Sequence, residues 1–413
     1  MTHTRDFEDL LELENVIGVE YDETNDRIVA FVTEKVPESE LDSNHVIQRN
    51  VDRDSDVEAI GEIGPLGGGP VPDAQGARKN RHRPVEGGVS EANANVSAGT
   101  AGMYPVEVVD TSVGEWAVSV SEGDRVRLSN NHVYARSNAA ELGESILQPS
   151  PYDGGTAEDA VGEVVGYVPL GDGASVDVAA RSVDSDRESD EYHDLGGRYP
   201  TSVRRSGLGD LKGDTVVKTG RTTGVSTGEV KATSASVRVQ YGDDLGAVTL
   251  RDLVVTSDIS DGGDSGSPVF LKASGELLGE VFAGSDSVSV LCKAANVESN
   301  LGVKFVTGTD DDQYVESFDT TVGVQMEQHD LSLEELSGDK PKAGETIDAS
   351  ATVSGNYDGK CWLEVQGDRY TFELTASEGG GRYTADVAVS VTAPDEYRGS
   401  FDVRIAGGYV EQS

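Results

Sequence analysis

The run Gly262-Gly263-Asp264-Ser265-Gly266-Ser267-Pro268 lies between two apolar stretches, Leu253-Val-Val-Thr256 and Val269-Phe-Leu271. Glycines on both sides of a serine free the backbone for a tight turn that pushes the side-chain oxygen outward. The same turn can aim the N–H groups of Gly263 and Ser265 into one hole. A serine in a Gly/Asp-rich turn is ordinarily only a turn, but the full run between two strands points to a nucleophile.

A serine that attacks a carbonyl needs an imidazole to take its proton and a carboxylate to hold that imidazole's tautomer. The sequence offers His3, His45, His82, His132, His193 and His329. His132, in Leu128-Ser-Asn-Asn131-His132-Val133, stands at the end of the β-rich region from Trp116 to Leu128 and is the candidate base. Asp177, in Ala174-Ser-Val-Asp177-Val-Ala-Ala180, is an acid inside an apolar strand-like run. Such a carboxylate is costly to bury unless something hydrogen-bonds to it, and His132 Nδ1–H would do so.

The order His132, Asp177, Ser265 and their local motifs resemble the trypsin-like (chymotrypsin-fold) serine protease family. Val217-Lys-Thr-Gly220-Arg-Thr-Thr-Gly224-Val-Ser-Thr-Gly228 is similar to the stretch opening the second barrel in its streptogrisin-like bacterial members. Asn130 to Val133, Gln148-Pro149 with Asp153-Gly154-Gly155, and Phe282-Ala-Gly-Ser285 resemble a cytosolic bacterial and plant group related to the narrow-leaf trypsin-like proteins. The resemblance runs from about Asn15 to Val306. It implies a catalytic set of His132, Asp177 and Ser265, with an oxyanion hole of Gly263 and Ser265. Asp264 then needs a cation other than a cleaved N-terminus, with Lys218 first and Arg221 second. Phe282 stands where trypsins carry a serine that supports the triad aspartate. Ile259 stands where they carry the acid at the floor of the specificity pocket, with Asp258 and Asp261 close by. Ile259, Ala283 and Gly284 are the expected pocket residues, for an apolar or small side chain.

The expected fold is mainly β. A small N-terminal α+β unit (1–64) opens with a short amphipathic helix over Phe7 to Leu13. A Gly/Pro/Arg-rich linker or arm (65–95) leads to a double antiparallel β-barrel (96–308), in which Trp116-Ala-Val-Ser-Val120 reads as a strand. A charged separator from Ser332 to Lys342 precedes an immunoglobulin-like β-sandwich within 309–413, whose strands alternate from Thr346 to Ile405.

Charge dominates the composition: 75 acidic against 33 basic residues, a net charge of −42. The acids are spread along the chain with no calcium-loop pattern, so adaptation to high salt of the haloarchaeal kind explains them better than a binding function. The same charge argues against nucleic acid as a partner, which needs a basic patch. No run of about 18 apolar residues and no apolar leader segment is present, and the expectation is a soluble, cytoplasmic protein with no membrane partner. Cys292 and Cys361 fall in different expected domains and read as buried hydrophobes rather than a disulfide framework. The residues call for no cofactor or metal. The expected substrate is a protein or peptide, and the last domain could take a protein partner or simply cap the chain.

Two rival readings remain open to test. The fold could serve as a peptide-binding scaffold that has lost its chemistry. An α/β-hydrolase would need Gly-x-Ser-x-Gly and a histidine late in the chain; Ser267 breaks the first, and His329 lies outside the catalytic block.

Overall fold

The structure, a computed structural model, describes residues 2–66, 71–195, 200–242 and 245–307, and in the remainder 331–338, 346–355, 359–366, 368–376, 383–392 and 405–409. It divides into two compact units, Met1–Val306 and Thr307–Ser413.

The first unit is built on two antiparallel β-layers. Thr215–Gly220 pairs with Pro268–Leu271, which pairs with Leu277–Gly284, then Val288–Lys293, Ala247–Ser257 and Gly224–Gln240. The last strand pairs back with Thr215–Gly220, closing a six-stranded barrel. Closure leaves no open edge within that ring. The other barrel's sheet runs in the order Val303–Phe305, Val106–Val108, Arg125–Ser129, Ala179–Ser182, Ala160–Tyr167, Ser145–Leu147, Ala92–Asn93. Its core holds Val133, Tyr134, Ile146, Val161 and Val164, while Leu128, Val178, Phe270 and Phe282 belong to a larger cluster drawn from both barrels. This is the mainly β, chymotrypsin-like double barrel that the sequence suggests.

The N-terminal strands join this barrel rather than standing apart. Val16–Asp22 pairs antiparallel with the far half of Gly224–Gln240, Arg27–Val32 pairs antiparallel with Val16–Asp22, and Asp54–Ala59 lies parallel beside Arg27–Val32. Close approach requires Gly18, where a Cβ would sit 3.1 Å from both Ser236 O and the Phe31 ring. The expected helix is a 3₁₀ helix over Thr4–Glu12, with Leu10 and Leu11 buried against Val19 and Ile28. Within the expected linker or arm, Gly64–Pro65 pairs with Leu277–Gly284, and Arg78 is buried with bonds to Thr219 Oγ1 (2.7 Å) and Gly88 O (2.8 Å).

Two strand expectations are corrected. The run from Trp116 to Val120 is strand only at Glu115–Trp116; Val118 is fully exposed, so its alternation has no face to bury. The charged separator contains a strand, Leu331–Gly338, paired with Thr346–Gly355, because ladder bonding does not require apolar side chains. The second unit's sheet continues with Tyr383–Thr392, Asp368–Ala376, Gly359–Val365 and Ile405–Tyr409, all antiparallel. The expected strand from Ser400 falls largely outside the described residues.

Candidate active site

His132 lies on a single helical turn, Asn131–Tyr134, directly after the strand Arg125–Ser129. Asparagines hold that turn. Asn130 Nδ2 donates to Asp177 O (2.9 Å), and Asn131 Nδ2 donates to Val168 O (2.8 Å). Asp177 lies in the loop two residues before the strand Ala179–Ser182, not within it. Its carboxylate is fully buried and accepts from His132 N–H (3.1 Å) and Nδ1 (2.8 Å). The opposite ring nitrogen, Nε2, is 2.7 Å from Ser265 Oγ. With Nδ1 donating to the carboxylate, Nε2 is left as the acceptor for the serine proton.

The turn around Ser265 depends on its glycines. Gly263 and Gly266 have φ of +95° and +89°. A Cβ at Gly266 would fall 2.0 Å from Ser129 Oγ and 2.7 Å from Thr100 O, so no other residue fits without moving the turn. Asp264 anchors the turn from behind. It accepts from Thr222 N–H (2.7 Å), Asp261 N–H (3.0 Å) and Thr223 Oγ1 (2.7 Å), and pairs with Lys218 Nζ at 3.1 Å. Burial pushes the Lys218 pKa below its usual range, and the Asp264 charge opposes the shift. Arg221 goes elsewhere: its guanidinium forks onto Asp153 (2.6 and 2.8 Å) and donates to Pro72 O.

A third donor to Asp177 is not foreshadowed by any motif. Tyr241, one residue past the strand Gly224–Gln240, donates its hydroxyl to Asp177 Oδ2 at 2.7 Å. Phe282 is buried in the core with no hydroxyl to offer, so among the described residues the hydroxyl on Asp177 is that of Tyr241. Burial, then the Asp177 charge, pushes the Tyr241 pKa well up, so the phenol stays a donor. Glu280, on the same strand as Phe282, is wholly buried beside the Asn130 side chain, with no cation paired to it among the described residues. Burial and then the nearby Asp177 charge raise its pKa well above the carboxylate range.

A cavity of about 560 Å³ opens beside the nucleophile turn. Ile259 and Gly284 line it, as do Leu66, Asp258, Asp261 and Asp286; Ala283 is buried in its strand and does not. Burial, then Asp261 and Asp286, raises the Asp258 pKa. The N–H of Gly263 already has an acceptor, the carbonyl of Leu66 at 2.5 Å.

No family model and no curated protein matches this chain. Among solved structures it is similar to Thermobifida fusca protease A (18% identity, TM-score 0.38) and Cellulomonas bogoriensis chymotrypsin (17%, 0.36), each covering 54% of this chain and 99% of the other. A glutamic-acid-specific serine protease matches at 21% identity with a TM-score of 0.37, over 54% of this chain and all of its own. At these identities the likeness is one of fold alone.

Proposed function

We propose that this chain is a serine-type endopeptidase, a hydrolase of peptide bonds in protein or peptide substrates. The supporting observation is the unbroken hydrogen-bonded line from Asp177 through His132 to Ser265, at 2.8 and 2.7 Å. Ser265 Oγ attacks the carbonyl carbon as His132 Nε2 takes its proton, and Asp177 holds the imidazolium that forms. The N–H groups of Gly263 and Ser265 stabilise the oxyanion, where one donor is typically worth about 10²–10³ in rate. His132 then protonates the departing amine, and water, deprotonated by the same ring, releases the acyl group. Lys218 and Asp264 set the nucleophile turn without zymogen cleavage, and Arg221 with Asp153 braces its flank. The apolar Ile259 favours an apolar or small side chain before the scissile bond, with Gly284 leaving it room and Ala283 backing the strand behind.

The peptidase block is 96–308. The N-terminal unit (1–64) and arm (65–95) pack on it, and 309–413 is an immunoglobulin-like sandwich suited to a protein partner. The acidic composition fits a haloarchaeal-type, salt-rich cytoplasm. A second reading, a peptide-binding scaffold without chemistry, draws on the occupied Gly263 N–H.

Fluorophosphonate labelling in molar salt tests the choice, because only an activated serine reacts. The expected result is labelling of the wild type, none of Ser265→Ala, and loss by several orders of magnitude in His132→Ala. A folded wild type that never labels, with the groove emptied, would leave only the scaffold.

A further inference from the structure

The groove beside Ser265 holds a piece of this same chain. Gly64–Pro65 lies antiparallel on the strand Leu277–Gly284, with Pro65 opposite Ala283 and Gly64 opposite Gly284. Leu66 continues the ladder, its N–H donating to Phe282 O at 3.2 Å. Its carbonyl accepts from Gly263 N–H at 2.5 Å. One residue therefore has its N–H on the strand beside the nucleophile and its C=O on a donor of the oxyanion hole. A peptide added as a strand with its carbonyl at those donors is in the posture for attack. Its side chain agrees with that posture: Leu66 packs against the cluster that includes Ile259, shares a cavity wall with that residue, and has its Cδ2 3.4 Å from where a Cβ on Gly284 would lie. The segment before it is fixed. Ile60 and Ile63 are buried, Ile63 O accepts from Gln240 N–H at 2.9 Å, and Ser285 Oγ donates to Ile60 O.

We infer that Gly64–Leu66 is this protein's own first substrate, held in the groove so that the peptide bond after Leu66 is cut in cis. The inference rests on the peptidase reading and adds to it a defined scissile bond. Ser265 Oγ bonds to the Leu66 carbonyl carbon while His132 Nε2 takes the hydroxyl proton. The C–N bond to Gly67 breaks, and His132 passes the proton to that nitrogen, which leaves as a new amino terminus. One water molecule, losing a proton to His132, then attacks the Leu66 ester; Ser265 regains its proton and Leu66 ends as a carboxylate. Until the cut end withdraws, the groove is closed to other peptides. The N-terminal piece stays bound after cutting, because Val16–Asp22 remains laddered to Gly224–Gln240.

The test follows the full chain in molar salt by denaturing gel, intact mass and N-terminal sequencing, since the two pieces should co-elute under native conditions. The expected result is a new terminus beginning at Gly67, formed with a first-order rate that dilution does not change, and absent in Ser265→Ala. Leu66→Glu places a carboxylate among Asp258, Asp261 and Asp286 and should slow the cut by about tenfold or more. It should also open the groove, so that Ser265 in this variant takes a fluorophosphonate label while the chain is whole. A wild type that stays uncut after Leu66 while either it or Leu66→Glu labels would overturn self-cleavage and leave the peptidase standing. A cut whose rate rises in proportion to protein concentration would overturn the cis assignment. If neither protein labels, the peptidase reading itself falls.

Discussion

Behind His132 the first barrel buries four charges in contact, whereas behind Ser265 the second barrel sets one lysine against one aspartate. Arg181 lies between Glu91 (2.7 Å) and Glu188 (2.8 Å), and Arg127 also reaches Glu188 (2.7 Å), all four with side chains out of solvent. Tyr134, two residues after His132, donates its hydroxyl to Glu91 and so ties the histidine turn to this lattice. In the second barrel, Lys218 faces the single carboxylate of Asp264. Burial works against both cations. At Arg181 two carboxylates outweigh it and the guanidinium pKa ends above its usual value; at Lys218 one carboxylate does not, and the amine ends below. Asp264, however, is also served by three backbone N–H groups. One half of the site is held by ions balancing ions, the other by an ion resting on backbone dipoles.

The contrast predicts unequal costs. Arg181→Met leaves two buried carboxylates without their shared cation and should destabilise the first unit by about 3–5 kcal/mol, the range for breaking a buried pair. Lys218→Met leaves Asp264 its N–H donors and should cost about 3 kcal/mol or less. Thermal unfolding of both variants at one salt concentration decides it; equal losses would mean that the backbone donors add nothing.

The contrast was only half legible in the sequence. Ser265, His132 and Asp177 announce themselves because each sits in a short local pattern, and Lys218 follows from the stretch that opens the closed barrel. Tyr241 does not, since its hydroxyl meets Asp177 across 64 residues and no motif surrounds the tyrosine. Arg221 stands second to Lys218 in what the resemblance implies, and the sequence does not show its true partner; Asp153, whose carboxylate matches the guanidinium fork, draws it away. The Gly64–Leu66 segment reads as linker for the same kind of reason. Two or three residues carry no periodicity, and their partners are supplied by a strand more than 200 residues later.

Two buried carboxyl groups, one from each barrel, differ more finely. Asp177 has three donors; Glu280, close enough to feel its charge, has no charged partner and only the Asn130 side chain beside it. With its pKa raised in the folded state, Glu280 keeps a proton that the unfolded chain gives up. Stability from this group is therefore full below the ordinary glutamate pKa and falls as pH rises towards the raised value, at about 1.4 kcal/mol per pH unit. Glu280→Gln should remove that slope, so its stability relative to wild type grows with pH across that window. Parallel unfolding curves at several pH values would show it, and a constant difference would mean that Glu280 is not protonated in the fold.

The smallest expected effect belongs to Tyr241→Phe, which deletes one hydrogen bond to Asp177 and keeps the ring, 6.3 Å from the His132 imidazole. Phe has no hydroxyl to strand, and Asp177 retains both bonds from His132, so the fold should hold. What changes is how firmly the carboxylate, and through it the imidazole, is aimed at Ser265. A bond to a charged acceptor is worth about 1.5–3 kcal/mol in all, of which only the part felt at the transition state appears in rate. The labelling rate of Ser265 by a fluorophosphonate should accordingly fall by about tenfold, with no change in unfolding temperature beyond that of one lost hydrogen bond. An unchanged rate would place the whole orientation of Asp177 on His132 and its own backbone neighbours, and would make Tyr241 a packing residue that happens to lie within reach.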